Sequence, residues 1–308
     1  MSKTRRAAYQ KASHQKNVTG TKIRQMITPS LQAEIETALG RRILAVAPLS
    51  AANNAQIYRL TLEDRRFVVA KVAERDLDTE AYMLNYLKTK SQLPVPTVHY
   101  SNEHVIIMDF ISSLASPDSR VSRHAAEILC ALHAIKAETY GLERDTLVGS
   151  LRQPNTPEKD WAKFFVEQRL LYMAGEALKE NKIDTSFMKQ LETLCGRIPG
   201  MLKDAGGPSL IHGDIWGGNV LTGQGSVAAF LDPAIYYADP EIELAFIRLF
   251  NTFDDSFFLR YNEISRLKPG FFEERADLYN LYPLLVHTRL FGLSYARKAQ
   301  KILTRFIG

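Results

Sequence analysis

Leu210-Ile211-His212-Gly213-Asp214-Ile215-Trp216-Gly217-Gly218-Asn219-Val220-Leu221 is the stretch on which the reading of the fold turns. Its apolar ends read as short strands and its glycine-rich middle as a loop, and that loop carries a carboxylate and an amide, Asp214 and Asn219, five residues apart. A second apolar run, Val227-Ala228-Ala229-Phe230-Leu231, then delivers Asp232 at the end of a buried strand, just before Pro233. Taken singly, each polar residue has an ordinary role: Asp214 capping a turn, Asn219 satisfying backbone groups, Asp232 closing a strand. Fixed offsets in a strand, loop and hairpin context make the set far more specific than its members.

Protein kinases carry the same Asp-to-Asn separation, followed by a metal-binding Asp after a short hairpin. The spacing has a chemical reason. Phosphoryl transfer needs a carboxylate at the attacking hydroxyl, and oxygen donors for Mg²⁺, a hard cation that prefers carboxylate, amide and phosphate oxygens. Asp214 suits the first task; Asn219 and Asp232 suit the second.

Such chemistry also needs a cation for the phosphates, and the amino-terminal part offers one. A short helix is expected after Pro29, capped by Ser30, with Leu31, Ile35 and Leu39 on one face and Gly40 as its stop. Strand-like runs follow over 43–48, 55–62 and 66–72, then a helix over 77–88, then strands over 97–100 and 104–110. Short connections imply antiparallel pairing, giving a five-stranded unit with one inserted helix. Alternation along 66–72 puts Phe67, Val69 and Lys71 on one face and Val68, Ala70 and Val72 on the other. A lysine on an apolar face needs a partner; Glu80, in the following helix, is the expected one, with Glu74 its competitor. No glycine-rich phosphate loop stands between the first two strands. Leu49-Ser50-Ala51-Ala52-Asn53-Asn54-Ala55 takes its place, where small residues allow close approach and Ser50, Asn53 and Asn54 can hydrogen-bond phosphate. Met108-Asp109-Phe110 ends the fifth strand where an adenine-contacting hinge would lie, a plain strand end being the alternative.

Beyond residue 116 the pattern turns mainly helical, with helices expected near 120–137, 158–180, 184–198, 241–252 and 272–303 around the strand-rich insert at 210–231. The fold class expected is therefore α+β: a small five-stranded antiparallel lobe over 29–110 and a larger helical lobe over 111–308. The 308 residues, 45% hydrophobic and 24% charged, are ordinary for a globular protein. The net charge of +5 belongs to the beginning of the chain: Lys3, Arg5, Arg6, Lys11, Lys16, Lys22 and Arg24 precede the first acid, Glu34. Residues 1–28 read as a basic, disordered tail, and no basic stripe with interleaved aromatics continues beyond it, so nucleic acid is not an expected partner. No apolar run is long enough to span a membrane. Cys130 and Cys195 lie far apart without metal or redox spacing, which points to a reducing compartment and to the cytoplasm.

The chain resembles the fructosamine kinase (ketosamine 3-kinase) family within the aminoglycoside phosphotransferase-type kinases. The resemblance rests on His212-Gly-Asp-Ile-Trp216-Gly-Gly-Asn219 and Asp232-Pro233-Ala234-Ile235-Tyr236-Tyr237. It extends to Tyr140-Gly141-Leu142, Gly149-Ser150-Leu151, Gln153, Asn155, Asp160-Trp161, Phe164-Phe165, Arg169-Leu170 and His287-Thr288-Arg289-Leu290-Phe291-Gly292. It implies a protein-kinase-like bilobal fold, ATP and Mg²⁺ as cofactors, and phosphorylation of the sugar 3-hydroxyl of ketoamines, small or protein-bound, whose adduct then breaks down to release the amine. Two departures stand out: the missing phosphate-loop glycines, and Ala238-Asp239-Pro240-Glu241-Ile242-Glu243 where related chains often carry Gly-His-Arg-Glu. Trp216 is either a wall for the sugar or a core aromatic, and Trp161, Phe164 and Phe165 are expected to pack. Asp239 could meet a substrate ammonium or cap a loop. A kinase for another hydroxylated amine, such as an aminoglycoside or choline, and a nucleotide-binding pseudokinase are the alternative readings.

Overall fold

A computed structural model describes residues 27–52, 55–114 and 117–308. The first helix, α1 (Pro29–Leu39), is capped by Thr28, whose hydroxyl accepts from the Leu31 amide at 3.2 Å, with Pro29 opening the first turn and Gly40 ending it at φ 61°. Ser30, the cap expected from the sequence, lies inside that turn, because the proline already suits the first helical position. Thr28 therefore belongs to the fold, and Ile27 is buried against the sheet.

Five strands follow: β1 (Ile43–Ala52), β2 (Ala55–Leu62), β3 (Phe67–Ala73), β4 (Val98–Asn102) and β5 (Val105–Asp109), with α2 (Asp78–Lys90) between β3 and β4. They form one antiparallel sheet in the order β1-β2-β3-β5-β4. The alternation expected in β3 divides two hydrophobic clusters. Val68, Ala70 and Val72 pack with Tyr58, Leu60, Ile107 and Ile35 of α1 on the outer face. Val69 shares the inner face with Lys71 and joins Ile106, Met108, Leu84 and Leu87 in a cluster that runs on into the helical part.

That part comprises α3 (Ser119–His133), the hairpin β6 (Thr146–Val148) and β7 (Leu151–Gln153), α4 (Trp161–Phe164), a π-helical stretch (Phe165–Leu171), α5 (Tyr172–Lys179), α6 (Thr185–Cys195) and α7 (Ile198–Met201). Next come β8 (Ser209–Ile211), β9 (Val220–Thr222), β10 (Val227–Phe230) and β11 (Tyr236–Ala238), paired antiparallel as β8 with β11 and β9 with β10. The chain ends in α8 (Glu241–Phe250), α9 (Asp255–Ile264), a second π-helical turn (Phe271–Arg275), α10 (Ala276–Phe291) and α11 (Leu293–Ile307). The single helix expected over 272–303 is broken at Gly292, whose φ of 95° no continuing helix allows. The β6–β7 hairpin and α9 were not anticipated by periodicity. Trp161, Phe164 and Phe165 are core residues as expected, with the indole N–H of Trp161 donating to the Tyr279 hydroxyl at 3.0 Å. Among the described residues no helix is long and apolar enough to cross a membrane.

Candidate active site

Lys71 reaches from the inner face of β3 into the junction of sheet and helices. It is 3% exposed, and its Nζ stands 2.6 Å from Glu80 Oε1 on α2 and 2.9 Å from Asp232 Oδ1 beyond β10. Burial works against the ammonium charge, but the two carboxylates outweigh it and raise the Lys71 pKa. Burial likewise opposes ionisation of Asp232, and the neighbouring lysine more than compensates, lowering its pKa. The expected Lys71–Glu80 pair is thus present and Glu74 is exposed, outside it. Sequence reasoning missed Arg75, whose Nη2 lies 3.1 Å from the second Glu80 oxygen. The opposite face of α2 is tied to the helical part: Arg144 donates to Thr79 at 3.2 Å, Tyr82 to Glu143, and Tyr86 to the Tyr237 hydroxyl at 3.3 Å.

The loop between β8 and β9 presents Asp214 half-buried. Asn219 Nδ2 donates to Asp214 Oδ2 at 2.9 Å and to its main-chain oxygen at 3.0 Å, so the two side chains brace each other. The Asp232 segment is fastened to the same loop, Leu231 N–H donating to the Asn219 carbonyl at 2.9 Å and Ala234 N–H to that of His212 at 2.7 Å. Asp232 takes a left-handed backbone, φ 49°, which turns its carboxylate back toward Lys71. Gly213 is at φ 87°, and a Cβ there would sit 2.2 Å from the Ala234 oxygen; only glycine permits this approach. Burial pushes the Asp214 carboxyl up to about 7; the negative charge of Asp232 adds to this, and the Asn219 amide opposes it. His212, wholly buried, is pushed down to about 4 by desolvation and accepts from the Asp214 amide at 3.3 Å through Nδ1.

Glu243 was also missed. Its Oε1 accepts from Gly213 N–H at 2.6 Å and its Oε2 lies 2.8 Å from His133 Nε2, while His133 Nδ1 meets the Tyr261 hydroxyl at 2.8 Å. The available signal was an acid in the otherwise apolar run Ile242 to Ile247, since a buried carboxylate must be paired.

The remaining expected residues divide. Ser50 is exposed within β1 beyond an irregularity after Pro48, not in a loop, because β1 continues to Ala52, which pairs with Ala55. Asn53 and Asn54 lie outside the described residues. Met108 is buried at the end of β5, and Phe110 is half-buried with its ring 5.9 Å from Phe67. Trp216 is 45% exposed, which removes the core reading. Asp239 is buried and accepts from Gly206 N at 3.0 Å, Glu241 N at 2.9 Å and the Tyr279 hydroxyl at 3.1 Å; it caps a loop and is not free for a substrate ammonium.

A five-stranded sheet with a lysine–glutamate pair, set against a helical part presenting Asp214, Asn219 and Asp232, defines a protein-kinase-like phosphotransferase with an alcohol acceptor. Within that class the chain belongs to the fructosamine kinase family, whose model matches residues 24–308. It is 33% identical over 275 residues to a probable ketoamine kinase of Vibrio parahaemolyticus, covering 84% of this chain and 91% of the relative. It is 30% identical over 236 residues to the chloroplastic protein-ribulosamine 3-kinase of Arabidopsis thaliana, covering 74% and 71% respectively. A solved structure from Thermobifida fusca, provisionally designated a fructosamine-3-kinase, superposes with a TM-score of 0.81 at 28% identity, over 90% of this chain and 99% of the other. An aminoglycoside phosphotransferase solved with ADP and hygromycin B shares the fold, with a TM-score of 0.65 at 17% identity over 91% and 99% of the two chains.

Proposed function

We propose that this protein uses Mg·ATP to phosphorylate the 3-hydroxyl of ribulosamine or fructosamine sugars, free or carried on protein lysines, as a step in deglycation. The observation that carries the reading is the braced Asp214–Asn219 pair fastened to Asp232, with Lys71 held between Asp232 and Glu80. Asp214 takes the proton of the attacking sugar hydroxyl; a carboxyl poised near neutrality suits a general base. Lys71, oriented by Glu80, meets the α and β phosphates. Asn219 Nδ2 is engaged by Asp214, which leaves its Oδ1 for a metal, and Asp232 has a second oxygen to offer. Asn219 and Asp232 would hold Mg²⁺ through these two oxygens, and the ion would supply charge neutralisation to the transferring phosphoryl group. Ser50 and Asn53 are assigned to the phosphate side, Met108 and Phe110 to the adenine side, and Trp216 to a wall of the sugar pocket.

The same reading divides the chain into a nucleotide lobe over 29–110 and a catalytic lobe over 111–308, preceded by a basic tail. Cys130 and Cys195 are free and buried, in keeping with a reducing compartment such as the cytoplasm. The test is ATP consumption by the purified protein across ribulosamines, fructosamines and kanamycin-type aminoglycosides. Turnover confined to the ketoamines is expected. Turnover confined to the aminoglycosides would overturn the acceptor, and Mg·ATP binding without any transfer would favour a pseudokinase.

A further inference from the structure

Arg59 has no role in the reading above. It lies on β2 opposite Val69, and Val69 lies opposite Met108, so its side chain projects from the inner face that also carries Lys71. Its neighbours Tyr58 and Leu60 point the other way, into the outer cluster. Its guanidinium carbon stands 4.9 Å from the Phe67 ring centre and 5.8 Å from that of Phe110. Among the described residues its side chain makes no ion pair or hydrogen bond, and this half-buried side chain includes a buried Nε that lacks a partner. An arginine carries five N–H donors and cannot discard its charge, so one left without an acceptor on the inner face of the sheet is an unfilled recognition group.

Lys71 is paired with Ile57, and Arg59 lies two residues further along β2, away from the β1–β2 connection. It is therefore displaced from the phosphate lysine toward the strand end that carries Phe110. We propose that Arg59 binds the nucleoside part of the nucleotide, its guanidinium plane held beside the Phe67 and Phe110 rings and its N–H edge donating to acceptors on the base or the ribose. The proposal rests on the reading of Lys71 as the phosphate cation, and it is independent of which acceptor is phosphorylated.

The test compares Arg59→Met, which keeps the stem packing and removes the donors, and Arg59→Lys, which restores one donor group, by calorimetric titration of the full chain. The probes are Mg·ATP, Mg·2′-deoxy-ATP and Mg·tripolyphosphate, which has no nucleoside. Arg59→Met should weaken Mg·ATP about tenfold and leave tripolyphosphate within about twofold, with Arg59→Lys in between. In the parent, an equal loss with 2′-deoxy-ATP would identify the 2′-hydroxyl as the group held, and equal binding would leave the base or the rest of the ribose. Unchanged ATP affinity in a variant that melts like the parent would overturn the proposal, and so would equal weakening of ATP and tripolyphosphate. Should the parent bind these probes and yet phosphorylate no ketoamine, the proposed acceptor fails while the binding comparison still decides the role of Arg59.

Discussion

Asp214→Asn should abolish most of the activity and stabilise the protein, by an amount that grows as pH rises from 3.8 to about 7. The carboxyl is held up to about 7 against an ordinary 3.8, chiefly by burial and then by the charge of Asp232. A carboxyl whose folded pKa is raised contributes most to stability below its unfolded pKa, and that contribution is lost as pH rises through 3.8 to about 7. At pH 8 the ionised group therefore costs the fold on the order of 2–4 kcal/mol, the upper end being the full difference at ~1.4 kcal/mol per pH unit and the lower end allowing for water reaching a half-buried site. Asparagine keeps an oxygen to accept from Asn219 and carries no charge. Its melting temperature at pH 8 should exceed that of the parent by roughly 4–10 °C, with a much smaller gain at pH 4. Turnover should fall ~10²- to 10⁴-fold, because the proton of the attacking hydroxyl loses its acceptor. The assay pairs thermal melts at the two pH values with initial rates at saturating substrates. A variant that turned over like the parent, or that was less stable than the parent at pH 8, would refute the reasoning.

Asp232→Asn should weaken Mg²⁺-dependent nucleotide binding as well as turnover, since it takes a negative charge from the proposed metal site and one of the two carboxylates from Lys71; titration with and without Mg²⁺ reads this directly. Trp216→Ala should raise KM for the ketoamine about tenfold and leave that for ATP unchanged, as steady-state kinetics with each substrate varied will show. Gly213→Ala forces a Cβ to within 2.2 Å of the Ala234 oxygen at a φ of 87°, so expression should yield inactive or largely unfolded protein, monitored by circular dichroism. Removing residues 1–26 should leave activity and melting temperature nearly unchanged, whereas removal through Thr28 takes away the α1 cap and buried Ile27 and should cost about 1–3 kcal/mol in denaturant titration.

The parts legible in the sequence are those where one local pattern carries the information. Period-two alternation in β3 placed Lys71 on the inner face, and spacing within a strand, loop and hairpin context drew Asp214, Asn219 and Asp232 together. Glu80 was found because it is near in sequence and a buried lysine requires an anion. Glu243 escaped because its partner is set by tertiary placement: Gly213 is 30 residues from Glu243, and no periodicity announces that contact. The helix over 272–303 was misjudged because apolar spacing continues through Gly292, where a positive φ breaks it. Between the two roles open to Asp239, substrate contact and loop cap, the sequence could not choose, because the two main-chain amides that claim it, beside Tyr279, are invisible in a pattern of side chains.

The position of α1 has a practical consequence. Ile27, Ile35 and the helix that joins them lie on the far side of the sheet from Lys71, behind a separate hydrophobic cluster. The described chain therefore begins, at Ile27, on the face of the sheet turned away from Lys71. A label or surface probe placed on α1 would thus report on the side of the sheet opposite Lys71 and leave the inner face untouched.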